Sequence, residues 1–258
     1  MLPLVTEAPE PNYSMAARRY LANTGDIGVL LGLHEMIGGS KPGRRRNVDV
    51  LNRAGIVLLC AFWEAFCEDL ADEALRQLLK NAGSPEALPE PLRKVIANEI
   101  KLDKNELSPW RLAGDGWRKL LTDRAETMRV ERNRALNTPK ADEIRRLFAT
   151  TIGLSDVTSY WHWKNTTAAQ ARARLDRYVT LRGDIAHRGA SHAQPIWKKD
   201  VQDFATHVTR LVAYTEGPVT QFLAAHRNVA VPPVPLLTSH PKDRLAAMKR
   251  ALRVSPVP

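Results

Sequence analysis

Arg182 and His187 stand five residues apart in the run Leu181-Arg182-Gly183-Asp184-Ile185-Ala186-His187-Arg188-Gly189. A guanidinium is a permanently charged, planar fork of donors that matches phosphate oxygens. A histidine titrating near neutral pH serves as general acid or general base. His187 falls in the last turn of its helix, where exposed carbonyls favour the imidazolium, and Asp184 three residues earlier pushes the same way if the side chains meet. The plain alternative for His187 is a histidine that caps a helix C-terminus. Arg182 completes an apolar stripe made by Leu175, Tyr178, Val179, Ile185 and Ala186, and a guanidinium on such a stripe costs several kcal/mol unless paired or facing a polar cavity. Glu64 is the mirror case, the one ionisable residue between Ala54 and Cys67. Either Arg182 and Glu64 form a buried salt bridge that holds two helices together, or both line a polar site.

Other chemistry is missing from the chain. It has no phosphate-binding P-loop, no His-Glu-x-x-His, no Gly-x-Ser-x-Gly and no dinucleotide glycine fingerprint. The two cysteines, Cys60 and Cys67, are seven residues apart on one helix, about 10 Å along its axis and too far apart to pair. The closest histidine pair, His187 and His192, straddles Gly189 at a spacing that fits a helical metal site poorly, so no metal is expected.

The elements that position these residues are helices throughout. Of 258 residues, 44% are hydrophobic and 26% charged, which excludes a mostly disordered or collagen-like chain and a multi-span membrane protein. Lysine and arginine total 38 against 28 acids, a net charge of +10, which suits contact with polyanions. A first helix over 14–36 has a Ser14 cap and is weakened by Gly25, Gly28 and Gly32. A glycine-rich basic connector follows, ending in Arg44, Arg45 and Arg46. The strongest helix opens at Asn47 or Asp49, runs to about Lys80 and is apolar on all sides over 54–67, which predicts the centre of a bundle. Further helices follow over 90–101, over 116–136, and over 138–148 with a Thr138 cap and Pro139 in the first turn. The next is capped by Thr166 or Thr167 and ends near His187 with Gly189 as C-cap, and the last runs from beyond Pro195 to Glu216 and resumes to His226. The tryptophans read mostly as core, with Trp161 and Trp163 able to stack a base if exposed. No strand alternation competes with the helical period. The expected fold is all-α, in three parts: an N-terminal extension with basic connector (1–46), a helical domain (47–226), and a proline-rich linker with a short basic amphipathic helix (227–258). That last helix puts Leu245, Met248 and Leu252 on one face. The N-terminus lacks the pattern of a signal peptide, and the most apolar stretch, 54–63, is only about ten residues long, so the protein is expected in the cytoplasm and not in a membrane.

The motif run resembles the Arg-x4-6-His motif of the HEPN superfamily of all-helical RNA-cleaving and nucleotide-binding proteins. Three further segments carry a resemblance to its RiboL-PSP branch. They are Asn52 to Leu59 leading into Trp63-Glu64-Ala65-Phe66-Cys67-Glu68-Asp69-Leu70, Ile152 to Val157 followed by Trp161-His162-Trp163, and Leu175 to Val179 leading into the motif. The resemblance spans about 48–214. It implies an antiparallel helical bundle that forms a homodimer with its motif helices at a shared cleft. It also implies a ribonuclease that needs neither metal nor cofactor, in a toxin or antiphage defence effector. Arg182 would stabilise the phosphorane and His187 would handle protons, with Asp184 and Glu64 in support. A ribose 2′-hydroxyl would attack the adjacent phosphate, leaving a 2′,3′-cyclic phosphate and a 5′-hydroxyl. Arg177, Arg188, Arg44, Arg45 and Arg46 are the candidates for RNA contact, and an antitoxin or defence-system protein is the candidate partner. Many active members carry a polar residue directly after the arginine, where this chain has Gly183. The tyrosine of the subgroup that pairs with nucleotidyltransferase antitoxins is replaced by Gly189, which argues against that partnership. The alternative is a non-catalytic HEPN module that binds RNA, a nucleotide or a protein.

Overall fold

The computed structural model describes residues 13–38, 48–130, 138–188 and 195–226, all but the side chains of residues 128, 129, 187 and 188 among them. The basic run Arg44-Arg45-Arg46, Gly189, and the expected tail helix lie outside the described residues. Within the described residues the fold is all-α. The helices are α1 (Met15–Gly38), α2 (Asp49–Asn81), α3 (Glu90–Leu102), α4 (Gly116–Val130), α5 (Ala141–Ile152), α6 (Ala168–Arg188) and α7 (Lys198–Ala225).

The apolar run in the middle of the chain makes α2 the axis of this bundle. Fourteen of its residues are buried, among them Ile56, Leu59, Cys60, Trp63, Phe66 and Cys67. Both thiols are free and buried, and desolvation pushes Cys60 up to about 12. Among the described residues α2 is the one helix long and apolar enough to cross a membrane, with a mean hydropathy of 1.5 over an 18-residue window. The apolar stretch is thus longer than residues 54–63. The apolar character extends well beyond them because a core helix at the centre of a bundle needs it on most of its sides.

Among the described residues five helices, α1, α4, α5, α6 and α7, pack against α2, in an arrangement fixed by specific contacts. α7 lies beside it in the same direction, with Asn52 Nδ2 donating to the Ile196 carbonyl at 2.7 Å. Gly55 lets the two backbones close, since a Cβ there would meet Val201 Cγ1 at 2.7 Å. α6 runs antiparallel to α7, the Tyr178 and Phe204 rings stacking at 4.1 Å. α5 packs across α2 and α6 through Ile144, Phe148 and Ile152, all fully buried.

α1 runs antiparallel to α2 and α7 and continues through its three glycines. Its Ala16, Ala17, Tyr20 and Ile27 belong to the same core as α2, although the sequence sets 1–46 apart as an extension. Tyr20 also shares a buried hydrogen bond with Thr209 of α7 at 3.1 Å. The N-terminus of α1 is anchored by acceptors: Ser14 Oγ takes the Ala17 N–H at 3.0 Å, Glu73 takes those of Met15 and Ala16, and Glu216 takes that of Ser14 at 2.7 Å. Carboxylates suit this position because it carries the positive end of the helix dipole.

Helix boundaries differ from the sequence reading at α5 and α7. α5 begins at Ala141, three residues after the expected Thr138 cap, because Asp176 of α6 accepts the Ala141 N–H at 2.9 Å and Trp63 Nε1 donates to the Pro139 carbonyl at 3.2 Å. It runs on to Ile152 and ends at Gly153, whose φ of +82° is the left-handed conformation that glycine adopts freely. α7 passes through Pro218 without ending, as Glu216, Gly217, Pro218 and Val219 are all buried in the bundle. The cap of α6 is Thr167: its Oγ1 accepts from Gln170 N and Gln170 Oε1 accepts from Thr167 N, a reciprocal capping box.

His207 on α7 is 2% exposed, its Nε2 3.1 Å from the Ala171 carbonyl. Burial, reinforced by Arg174, Arg210 and Arg177, drives its pKa down to about 4. The folded chain therefore holds the ring neutral, while the unfolded chain protonates it below the ordinary value near 6.5. Stability is full above that value and falls as pH drops towards 4, by a loss of the order of 3 kcal/mol. Thermal melts from pH 7 to pH 4 should show this loss, and His207→Gln should flatten it.

Candidate functional site

The motif segment lies on the second half of α6, where that helix passes the middle of α2. The first half of its apolar stripe is core: Leu175 is fully buried and Tyr178 and Val179 are 3% exposed. The stripe then emerges, with Leu181 and Ile185 half-buried and Ala186 exposed, because α6 outruns the helices that cover it. The expectation of a buried stripe as far as Ala186 is corrected accordingly.

Arg182 sits at this point of emergence. Its Nη2 is 3.7 Å from Glu64 Oε2, with the two side chains 26% and 22% exposed. The pair is thus half-buried and solvent reaches both groups, so the geometry joins the two sequence alternatives: the residues meet across α2 and α6, and they do so at an open surface. Burial raises the Glu64 carboxyl above its usual range, and the Arg182 guanidinium only partly offsets this. Cys60 lies directly beneath, its Sγ 3.9 Å from the Tyr178 carbonyl and within the field of Arg182. A Cβ at Gly183 would meet nothing within 4 Å.

Around this pair the central helix is left incompletely covered. On α2, Ala61 and Ala65 are exposed and Val57, Leu58 and Phe62 are half-buried. This segment is apolar on all faces, so a strip of it with no full cover was not legible in the sequence. The burial pattern on the neighbouring helices reveals it.

The remaining candidates are distributed along α6. Asp184 is half-buried. Arg177 is exposed, with its guanidinium 5.3 Å from the ring of Tyr178. The backbone positions of His187 and Arg188 belong to α6. A five-residue spacing on a regular helix places the Cα of His187 about 140° around the axis from that of Arg182 and about 7.5 Å further along. The Cα atoms of the two motif positions therefore lie on different faces of α6 within one chain. Trp161 is fully buried, its Nε1 donating to Thr215 at 2.9 Å, so it is core and unavailable to a base. Trp163 is half-buried, and Trp110 and Trp197 are exposed, so only three of the six tryptophans, Trp63, Trp117 and Trp161, are truly core. Among the described residues no three His, Cys, Asp or Glu side chains are grouped to hold a metal ion.

Residues 33–217 match the profile of the RiboL-PSP-HEPN family. The chain belongs to that family. No curated protein and no solved structure gives a significant match. The RiboL-PSP-HEPN match begins inside α1 and ends inside α7, so it contains Glu64, Arg182 and His187 together with the helices that carry them.

The half-buried pair has a measurable signature. Glu64 binds its proton more tightly folded than unfolded, so its ionised form costs stability above the folded pKa, and that cost vanishes below the unfolded one. Glu64→Gln should therefore be favoured over the parent at pH 8 and lose that advantage by pH 4. In a double-mutant cycle at neutral pH, Arg182→Ala should cost less in the Glu64→Gln background, by about 1 kcal/mol given the exposure of both side chains. Thermal melts of the four proteins measure both quantities, and simple additivity would mean that the two groups do not interact.

Proposed function

We propose that this protein is a metal-independent endoribonuclease of the HEPN type that works as a homodimer, in the role of a toxin or antiphage defence effector. The observation that carries the reading is Arg182: a solvent-accessible guanidinium on the motif helix, set beside an apolar strip of the central helix that a single chain leaves open. A second copy packed two-fold on that strip brings two motif helices together. It also answers the 140° offset, because Arg182 of one protomer then meets the His187 position of the other.

The chemistry follows from the residue types. The ribose 2′-oxygen attacks the adjacent phosphorus while the bond to the 5′-oxygen breaks. His187 exchanges the protons, taking one from the 2′-hydroxyl and delivering one to the departing 5′-oxygen. Negative charge grows on the non-bridging oxygens, where the Arg182 guanidinium stabilises it by charge-assisted hydrogen bonds. The products are a 2′,3′-cyclic phosphate and a 5′-hydroxyl. A cytoplasmic site of action suits both the RNA substrate and the two reduced cysteines. The Glu64 contact favours a second reading, a non-catalytic module that binds RNA, a nucleotide or a protein, since an arginine held by a carboxylate is partly withdrawn from a phosphate.

Incubation with total cellular RNA in EDTA separates the two. Cleavage should persist under chelation, leave cyclic phosphate ends and vanish in Arg182→Ala and His187→Ala, while intact RNA would favour the binding module. Light scattering at micromolar concentration should give a dimer. Ala61→Glu, which places a charge on the open strip, should shift it to monomer and abolish cleavage.

A further inference from the structure

A second basic cluster lies upstream of the motif on the other flank of α6. Its floor is His207, kept neutral by burial. Its walls are Trp163, whose ring centroid is 5.6 Å from that of His207, and Tyr214, 5.4 Å from Trp163. Trp163 is set by a tight turn in which it exchanges backbone hydrogen bonds with Thr166 at 3.0 and 2.9 Å, with Asn165 in the left-handed conformation. Over the indole stands the Arg210 guanidinium, 5.6 Å from the ring centroid. Arg174 of α6 acts on the same histidine. Asp203 is its carboxylate partner at 4.0 Å, and Asp203 is already engaged by Lys199 at 2.6 Å.

The charges here are poorly neutralised. Among the described residues no carboxylate comes within 4 Å of Arg210 or Arg177. The Nε–H groups of Arg174 and Arg210 and the Nε1–H of Trp163 are all covered without a hydrogen-bond acceptor. These three groups are enclosed by the packing of the cluster, so a ligand would meet the remaining guanidinium nitrogens of Arg174 and Arg210. The ring contact holds Arg210 in position, and with Arg174 and Arg210 half-buried and Arg177 exposed, their charge is partly open to solvent. The cluster does not suit a single small anion, because its cations extend along the helix. Arg174 and Arg177 precede Arg182 by eight and five residues, about 12 and 7.5 Å along the axis. A polymer with regularly repeated charges matches that layout.

We propose that Arg174, Arg177 and Arg210, with Arg210 braced by Trp163, form a docking surface for the phosphate backbone of single-stranded RNA on a flank of α6 separate from that of Arg182. The proposal rests on the ribonuclease reading for the identity of the strand. Its role is affinity and register, separate from the chemical step.

The test uses the full chain carrying His187→Ala, so that RNA survives, and a labelled single-stranded RNA of about a dozen nucleotides followed by anisotropy. Arg174→Gln/Arg210→Gln should weaken binding by about tenfold and lower the salt slope by about 1.4, the value for two lost phosphate contacts on a single strand. Arg210→Lys should keep most of the affinity. Arg145→Gln/Arg146→Gln, which removes the same charge from α5, should change binding little. Because Arg210 packs on Trp163, Arg174→Gln/Arg177→Gln on α6 is measured in parallel and should lose affinity to a similar extent while melting like the parent. With His187 restored, the docking variants should raise KM and leave kcat unchanged. An equal loss in the α5 control would reduce the effect to net charge and overturn the proposal. Unchanged binding in both docking variants, with cleavage intact, overturns the docking surface alone. Failure of the His187→Ala chain to bind RNA overturns it together with the ribonuclease reading.

Discussion

Trp63, in the middle of α2, is the residue on which the other helices converge, and its burial sets the geometry that follows. Its ring stacks on Phe66 at 5.8 Å and meets Trp161 edge-on at 5.7 Å, while its Nε1 reaches the Pro139 carbonyl. Through Phe66 it touches α1, through Pro139 it fixes the start of α5, and through Trp161 and Thr215 it ties the loop before α6 to α7. An indole offers a large apolar area with one polar handle, so a single residue can both close a core and orient the backbone around it. α6 packs on the same central helix one residue further along, where Arg182 meets Glu64.

The electrostatics of the bundle follow from the same close packing. His207 is held neutral and the Glu64 carboxyl is raised for one reason, loss of water around a chargeable group. They differ in their surroundings. His207 is enclosed and surrounded by arginines, which reinforce its neutrality, whereas Glu64 lies at a surface beside a guanidinium that opposes the shift. The arginines of α6 thus serve two neighbourhoods: Arg174 and Arg177 act on the enclosed histidine of α7, and Arg182 acts on the accessible carboxylate of α2. A single helix therefore presents positive charge on two flanks, and the bundle is basic without being uniformly so.

Much of the fold is legible in the amino-acid order. Helical periodicity marks each of the seven helices. Ser14 and Thr167 act as the caps their types suggest, and the uninterrupted apolar run identifies α2 as the central helix. The boundaries that were not legible are those decided by distant partners. Asp176 supplies the first acceptor of α5 from another helix, and burial carries α7 through Pro218 where the local pattern calls for a stop. The helix α1 read as part of an extension, set off from the central helix by a basic connector. Its acceptors, Glu73 and Glu216, come from α2 and α7, far along the chain.

The candidate site divides along the same line. Residue types and spacing alone determined that Arg182, His187 and Glu64 are the groups to examine, since an arginine on an apolar stripe and a lone acid in an apolar helix each require an explanation. Tertiary structure decided how exposed the Arg182–Glu64 pair is, because α6 projects beyond its neighbours there, and it decided that Trp161 is core while Trp163 stands beside Arg210. It also decided that α2 keeps an open strip, a property of which helices pack where. Periodicity records which faces of a helix are apolar. Only the arrangement of the other helices determines which of those faces is covered.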